Sequence, residues 1–507
     1  MNNISVQRKM GVILSYISII ASTLVQLIYT PFLIRMLGQS EYGLYSLVSS
    51  IIGYLTVLDL GFGNAIVVYT SKYRAINDVK NEKLMHGMFK IVFYIIGFIV
   101  AVMGIILYFN VDNLFGNTMT LIELRKMKIM MLILTLNLVV TFSFNIYSAI
   151  INAYECFVFQ KALSILNTIM KPIMMIPLLF LGYKSISMCV ALTIINIIVV
   201  LSNYFYCKKK LKLKIKYIGF DKKMFINIFS YSFFLFLGTI VDKINWSVDQ
   251  FLLGAISGTV AVSIYSTASH FNTLFINLST AISGVLLPKI SGMVANNASS
   301  KKLTDEFIKV GRIQYLLIFL MASGFVIFGK KFIILWAGSE YVQSYYVALI
   351  LIIPLCFPLI QNLGLSIMQA MNKYKFKSIS TFIMAIFNVF ISIVLTKLYG
   401  PIGSAIGTAV ALIICNIILI NIYYYKVINI DIIKFWKEII KMTVPFCMPI
   451  LLILFLNIWL SQNNIIIWLL LIVIYTIVYL VVAYLFSMNE YEKMLINKVL
   501  KKFKLRK

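Results

Sequence analysis

Charge is what this 507-residue chain has least of: 12% of its residues are Asp, Glu, Lys or Arg, against 61% hydrophobic. A soluble domain carries about 25% charged residues, so this composition cannot be folded around a water-facing surface. Histidine is nearly absent, with only His86 and His270, which excludes a histidine-rich metal centre. The six cysteines (Cys156, Cys189, Cys207, Cys356, Cys415 and Cys447) lie in or beside apolar runs without a CxxC pair. They read as buried thiols rather than a disulfide framework or a metal site. No GxxxxGK[ST] phosphate loop is present, and no polar stretch is long enough for a soluble catalytic domain. The expectation is therefore a protein that is not an enzyme, hydrolyses no ATP and needs no cofactor.

What the chain has instead is apolar length. Its mean hydropathy is +0.95, and roughly 20 apolar residues suffice to cross the hydrocarbon core as a helix. Polar or basic punctuation divides it into fourteen such stretches, from 11–36 and 43–69 near the N-terminus to 442–460 and 465–486 near the C-terminus. The first lacks the short apolar core and small-residue cleavage site of a signal peptide, so it reads as a retained span. This scheme predicts an all-α membrane protein of about fourteen transmembrane helices.

The basic residues test that scheme. With the N-terminus on one side, 35 of the 45 Lys and Arg residues fall on that side, 8 on the other and 2 inside spans. Positive charge gathers on the cytoplasmic face, so both termini are expected in the cytoplasm. The net charge of +28 and pI of 9.7 are thereby explained by helix ends meeting anionic lipid, and no nucleic-acid partner is expected.

The most basic loop, Cys207 to Lys223, follows the sixth span and divides the chain. At an offset of 220, Leu33, Gly38, Tyr45 and Ser46 match Leu253, Gly258, Tyr265 and Ser266. An offset of one six-span unit is the mark of a parallel repeat. The predicted organisation is a six-helix lobe at 1–207, a basic cytoplasmic linker at 208–224, a pseudo-symmetric six-helix lobe at 225–425, and two added helices with a basic tail at 426–507.

These residues also carry a resemblance. The run IYTPFLIRMLGQSEYGLYSLVSSIIGYLTVLDLGFGNAIVVYTSKYR, Ile28 to Arg74, looks like the first two spans of bacterial Wzx-type polysaccharide-repeat flippases. That family belongs to the multidrug/oligosaccharidyl-lipid/polysaccharide exporter superfamily. DQFLLGAISGTVAVSIYSTAS, Asp249 to Ser269, is similar to the span 7/8 turn of the family, and KLYGPIGSAIGTAVA, Lys397 to Ala411, to its span 11/12 turn. The resemblance implies two six-helix lobes that open alternately to each side of the bacterial cytoplasmic (inner) membrane. It implies an undecaprenyl-diphosphate-linked oligosaccharide as cargo, drive from an ion gradient or the membrane potential, and a cationic cavity suited to pyrophosphate. Membrane lipids and the polysaccharide polymerase machinery are the implied partners, for capsule, O-antigen or exopolysaccharide synthesis.

Ionisable groups inside spans are costly and are functional candidates by default. Lys171, beside Pro172 in span 5, is a candidate for the pyrophosphate or a lysine paired or snorkelling to the interface. In span 7, Asp242, Trp246 and Asp249 share one helical face, and Lys243, Ser247 and Gln250 an adjacent one. The two carboxylates are candidates for a coupling cation or proton and Lys243 for the lipid phosphate; a structural charge cluster is the alternative. Asp59, in LDLGFGNA with Gly61 and Gly63 permitting a helix break, is a gating or cation candidate or a hydrogen-bonding partner of span 1. Arg35 reads as a diphosphate contact on exit or an interfacial anchor, and His270 as a proton-coupling group or a buried neutral imidazole. Gln361 and Asn362 read as sugar contacts or helix contacts.

The leading expectation is thus a lipid-linked oligosaccharide flippase. A cation-coupled multidrug antiporter of the same superfamily, kept open by Asp59, Asp242 and Asp249, is the alternative. A membrane-bound polymerase is disfavoured because the longest external gap, Asn110 to Met127, is about eighteen residues.

Overall fold

The computed structural model describes the backbone at residues 4–213, 215, 217, 219–283, 286–371, 373–459, 464–495 and 497; the side chains of Asp242 and Trp246 lie outside the described residues. Every regular element among the described residues is a helix. In chain order these are α1 (Ile4–Leu55), α2 (Phe62–Ala75), α3 (Val79–Phe115), α4 (Leu121–Ala153), α5 (Phe157–Phe180) and α6 (Ser185–Phe205). The long α7 (Lys222–Ser283) follows, then α8 (Leu287–Ala295), α9 (Ser300–Trp336), α10 (Val342–Ile360), α11 (Leu363–Ala370) and α12 (Lys375–Leu412). A short α13 (Ile420–Tyr423) leads to α14 (Ile432–Thr443), α15 (Cys447–Trp459) and α16 (Ile465–Val482). The protein is an all-α, multi-pass membrane protein, as its composition requires. Hydrocarbon offers no hydrogen bonds, so a spanning backbone must satisfy itself within the helix.

Polar side chains cap helix starts where the apolar runs begin. Asp78 accepts the Asn81 N–H at the start of α3, and Asp431 accepts that of Lys434 at the start of α14. Thr120 and Glu123 form a reciprocal capping box on α4.

Among the described residues, eleven stretches are long and apolar enough to cross a membrane. Three of them contain a glycine that leaves the helical conformation: Gly38 in α1 (φ 76°, ψ 171°), Gly258 in α7 (φ 82°, ψ −175°) and Gly400 in α12 (φ 57°, ψ −131°). These angles are open to glycine and strained for residues with a Cβ. Gly38 and Gly258, the pair matched at an offset of 220, adopt nearly the same backbone angles.

The chain packs as two compact units: residues 1–266 with 389–404, and residues 267–388 with 405–507. In the first, α3 lies along α4, α4 along α6, and α1 along α5. In the second, α10 lies along α9, α14 and α16 pack on α9, and α8 packs on α11.

The second unit is tied by a buried charge that sequence reading placed in a cytoplasmic loop. Arg312 of α9 is 5% exposed. Its Nε and Nη2 donate to the two carboxylate oxygens of Glu492 at 2.7 and 3.1 Å, Nη1 donates to Glu438 at 2.9 Å, and Nη2 also donates to the Ser487 carbonyl at 2.8 Å. This bidentate arrangement fastens the segment after α16 to α9 and α14. Removing one partner of such a pair strands the other charge, at about 3 kcal/mol or more. Glu492→Ala is therefore expected to lower the thermal midpoint of the detergent-solubilised protein by several degrees, and Arg312→Met combined with Glu492→Leu to recover most of it. Equal midpoints for Glu492→Ala and wild type would show that the pair carries no stability.

Candidate functional site

The second span breaks where its glycines allow. After α1 the chain makes a 3-10 turn at Thr56–Asp59, then Leu60 and Gly61 take left-handed conformations (φ 52° and 74°) before α2 starts at Phe62. Asp59 sits at this break. Its Oδ2 accepts the Gly63 N–H of the α2 first turn at 3.4 Å, and its Oδ1 accepts from Asn145 Nδ2 of α4 at 2.8 Å. A carboxylate here meets both free N–H groups and the positive end of the helix dipole. The hydrogen-bond partner is thus α4 rather than the expected donors of span 1.

Asn145 is the end of a polar stripe. Asn137, Thr141 and Asn145 follow at intervals of four along α4, so they share one face. Asn196 of α6 crosses to it, donating to Asn137 Oδ1 at 2.5 Å and Thr141 Oγ1 at 2.7 Å. Sequence reading missed this stripe because, Gln361 and Asn362 aside, it followed ionisable groups. The four-residue spacing of uncharged polar residues in an apolar run was the available signal.

α7 brings its polar residues against the second segment of α1. Ser50 Oγ donates to the Ser247 carbonyl at 3.1 Å, which pins the two helices. One turn away, Lys243 faces Gly53: a Cβ built on that glycine would lie 3.7 Å from the Lys243 Nζ. Lys243 is half-buried and has no hydrogen-bond or ion-pair partner among the described residues. The same is true of Lys171 on α5. Asp242 was expected beside Lys243, but its side chain falls outside the described residues.

Asp249 is in the opposite situation. It is 2% exposed, and it accepts from Tyr265 OH at 2.5 Å and from Ser404 Oγ at 2.7 Å. All these groups, from Asp59 to Asp249, belong to the first unit. Arg35 belongs to it too, exposed three residues before the Gly38 break.

The remaining candidates lie in the second unit. His270 is half-buried there. Gln361 and Asn362 mark the turn between α10 and α11 and serve helix packing: Gln361 Nε2 donates to Asn421 Oδ1 at 2.7 Å, and Asn362 Nδ2 donates to Ser279 Oγ at 3.1 Å. Asn421 Oδ1 also accepts from the indole of Trp436 at 3.3 Å. Trp436 in turn walls an apolar groove of about 570 Å³, lined by Tyr315, Phe319 and Val326 of α9, Ile353 and Phe357 of α10, and Ile440 of α14. Sequence reading missed this recess, since α14 is distant in the chain from α9 and α10, which it faces. No group of His, Cys, Asp and Glu residues suited to a metal ion occurs among the described residues.

Comparison with known proteins places this arrangement. The fold matches that of the lipid II flippase MurJ in an inward closed conformation, with a TM-score of 0.73 at 20% identity, covering 94% of this chain and 98% of that one. It also matches an inward-facing multidrug resistance MATE transporter of the MOP superfamily, with a TM-score of 0.59 at 15% identity over 78% of this chain and 96% of that one. A candidate O-antigen transporter of Shigella flexneri is 22% identical over 415 residues, 79% of this chain and 94% of its own. The family described as polysaccharide biosynthesis protein matches residues 9–294, more than half of the sequence. With that match and a fold shared with MOP-superfamily transporters, the chain belongs to the polysaccharide biosynthesis protein family.

Proposed function

We propose that this protein is a flippase that carries undecaprenyl-diphosphate-linked oligosaccharide repeat units across the bacterial inner membrane, for assembly of a surface polysaccharide. Its kinship with polysaccharide biosynthesis proteins and with a candidate O-antigen transporter supports the reading. The relatives named above are transporters and flippases, and the reaction proposed is translocation, with no covalent step.

One observation carries the choice of cargo charge. The amines of Lys243 and Lys171 have no partner among the described residues, whereas the carboxylates of Asp59 and Asp249 each hold two hydrogen bonds from neutral donors. An unpaired ammonium inside a membrane protein calls for an anion, and a diphosphate supplies it. A drug/cation antiporter would need the reverse, open carboxylates and neutralised amines. Lysine suits the task as a compact, mobile point charge that binds and lets go.

In this reading Lys243 and Lys171 hold the diphosphate, and Arg35 receives it toward the outer side. Lobes 1–207 and 225–425 alternate in access while both termini stay in the cytoplasm. The apolar groove within the second unit, walled by α9, α10 and α14, has almost no polar surface and suits a hydrocarbon chain. Asp249, with its hydroxyl partners, is the proposed seat of the coupling ion, with Asp59 as a second candidate. The translocated unit would then pass to the polymerase machinery.

Two measurements test this. In cells lacking the gene, complementation with Lys243→Ala plus Lys171→Ala is expected to restore less than about a tenth of the surface polymer, since each buried charge contact is worth on the order of 1.5–3 kcal/mol. Lipid-linked repeats should then accumulate in the inner leaflet at normal protein levels, and wild-type polymer from the double variant would refute the cargo assignment. In proteoliposomes, Asp249→Asn, which keeps an acceptor oxygen for one of the two hydroxyls and removes the charge, is expected to abolish the response of transport to an imposed ion gradient. An unchanged gradient response would remove Asp249 from coupling.

A further inference from the structure

At one end of the first unit a carboxylate joins two glycine turns. Glu123, in the first turn of α4, accepts at Oε2 from its own cap, the Thr120 N–H at 2.9 Å and the Thr120 hydroxyl at 2.8 Å. This leaves Oε1 pointed away from the helix, where two other hydroxyls meet it. Ser40 Oγ donates to it at 2.6 Å and Thr259 Oγ1 at 2.8 Å. Ser40 lies two residues after the Gly38 break, and Thr259 directly follows the Gly258 break. One oxygen thus joins the two glycine turns that the 220-residue repeat relates.

The backbone is built for this approach. A Cβ placed on Gly43 would lie 1.8 Å from the Thr259 carbonyl oxygen, so the two segments touch only because residue 43 has no side chain. Thr118, just before α4, donates to the Gly254 carbonyl at 2.8 Å. Two kinds of contact are present. The first turn is held to its own half by charge: Glu41 pairs with Lys126, also in the first turns of α4, and accepts from Ser185 at the start of α6. To α4 and its cap the second turn is held by neutral groups, the hydroxyls of Thr259 and Thr118.

We propose that Glu123 is the latch of an exit gate, with Thr259 and Thr118 as the contacts that part and Ser40, Glu41, Lys126 and Ser185 as those that stay. A hydroxyl bonded to a carboxylate stabilises closure without making it permanent, and the hydroxyl regains a water partner when the turns separate. A salt bridge across the same seam would cost more to open. The proposal rests on the transport reading and its orientation, which put this end of the first unit on the outer side of the membrane.

The test uses the full-length protein in membranes. In Ser40→Cys with Thr259→Cys the two sulfurs replace oxygens 3.5 Å apart, within reach of a disulfide after small adjustments. Mild oxidation is expected to link the pair, seen as a linked peptide by mass spectrometry, and to cut transport at least about tenfold, with reductant restoring it. Failure to link, or transport at the unlinked rate once linked, would overturn the latch. A second readout needs no knowledge of the cargo. A cysteine at Ser50, two helical turns inward from Gly43, is expected to react about tenfold faster with an impermeant maleimide added outside when Glu123→Ala removes the bridging acceptor. Gly43→Ala should raise the rate too, by propping the turns apart. Unchanged rates in both variants would also overturn the proposal. If the linked pair shields residue 50 while deletion of the gene leaves the polymer intact, the latch stands and the cargo assignment falls.

Discussion

A hydrocarbon solvent accepts and donates no hydrogen bonds, and each polar group of this protein is placed under that constraint. It explains why the described elements are all helices, and it makes an interior charge costly unless another group meets it. Asn145 meets Asp59, Tyr265 and Ser404 meet Asp249, and Glu492 meets Arg312. Beside these paired charges, Lys243 and Lys171 stand out because their ammonium groups are met by nothing among the described residues. In water an unpaired lysine is unremarked. In a bilayer it implies a counter-charge that arrives from elsewhere.

The same constraint shapes where the backbone departs from the helix. A break exposes N–H and C=O groups, so it must occur where other groups can satisfy them. At Leu60 and Gly61 the freed N–H groups of α2 receive the carboxylate of Asp59. At Gly38 and Gly258 the chain leaves the helix at sites closed by Thr118, Glu41 and Glu123. The breaks at Gly38 and Gly258 are thus met by Glu123 of α4, and the break at Gly61 by Asp59 just before it. Breaks and carboxylates together make the few sites at which this chain has reason to move.

Much of this was legible beforehand. Apolar length announced helical spans, and the distribution of lysine and arginine ordered them. The 220-residue offset marked Gly38 and Gly258 as equivalent turns, and both residues carry almost the same dihedral angles. The break at Asp59 was also foreseeable, because two nearby glycines relax the steric limits on φ. Less visible were groups whose meaning depends on a partner distant in sequence. Arg312 looked like one more loop cation until Glu492, 180 residues away, was found against it. Gln361 and Asn362 left sugar contact and helix contact undecided, and Asn421 and Ser279 supply their bonds.

By itself, then, the order of residues determined the solvent, the helical class and the positions of the breaks, because composition and glycine's steric freedom act locally. Tertiary structure alone decided which polar groups are met and which wait. Asp249 and Lys243 lie six residues apart on one helix and were equivalent candidates in the sequence. Folding brings two hydroxyls to the first and, among the described residues, no hydrogen-bond partner to the second, which faces Gly53. Hydrogen bonds act over about 3 Å, and no pattern along a chain reports which distant atoms come that close.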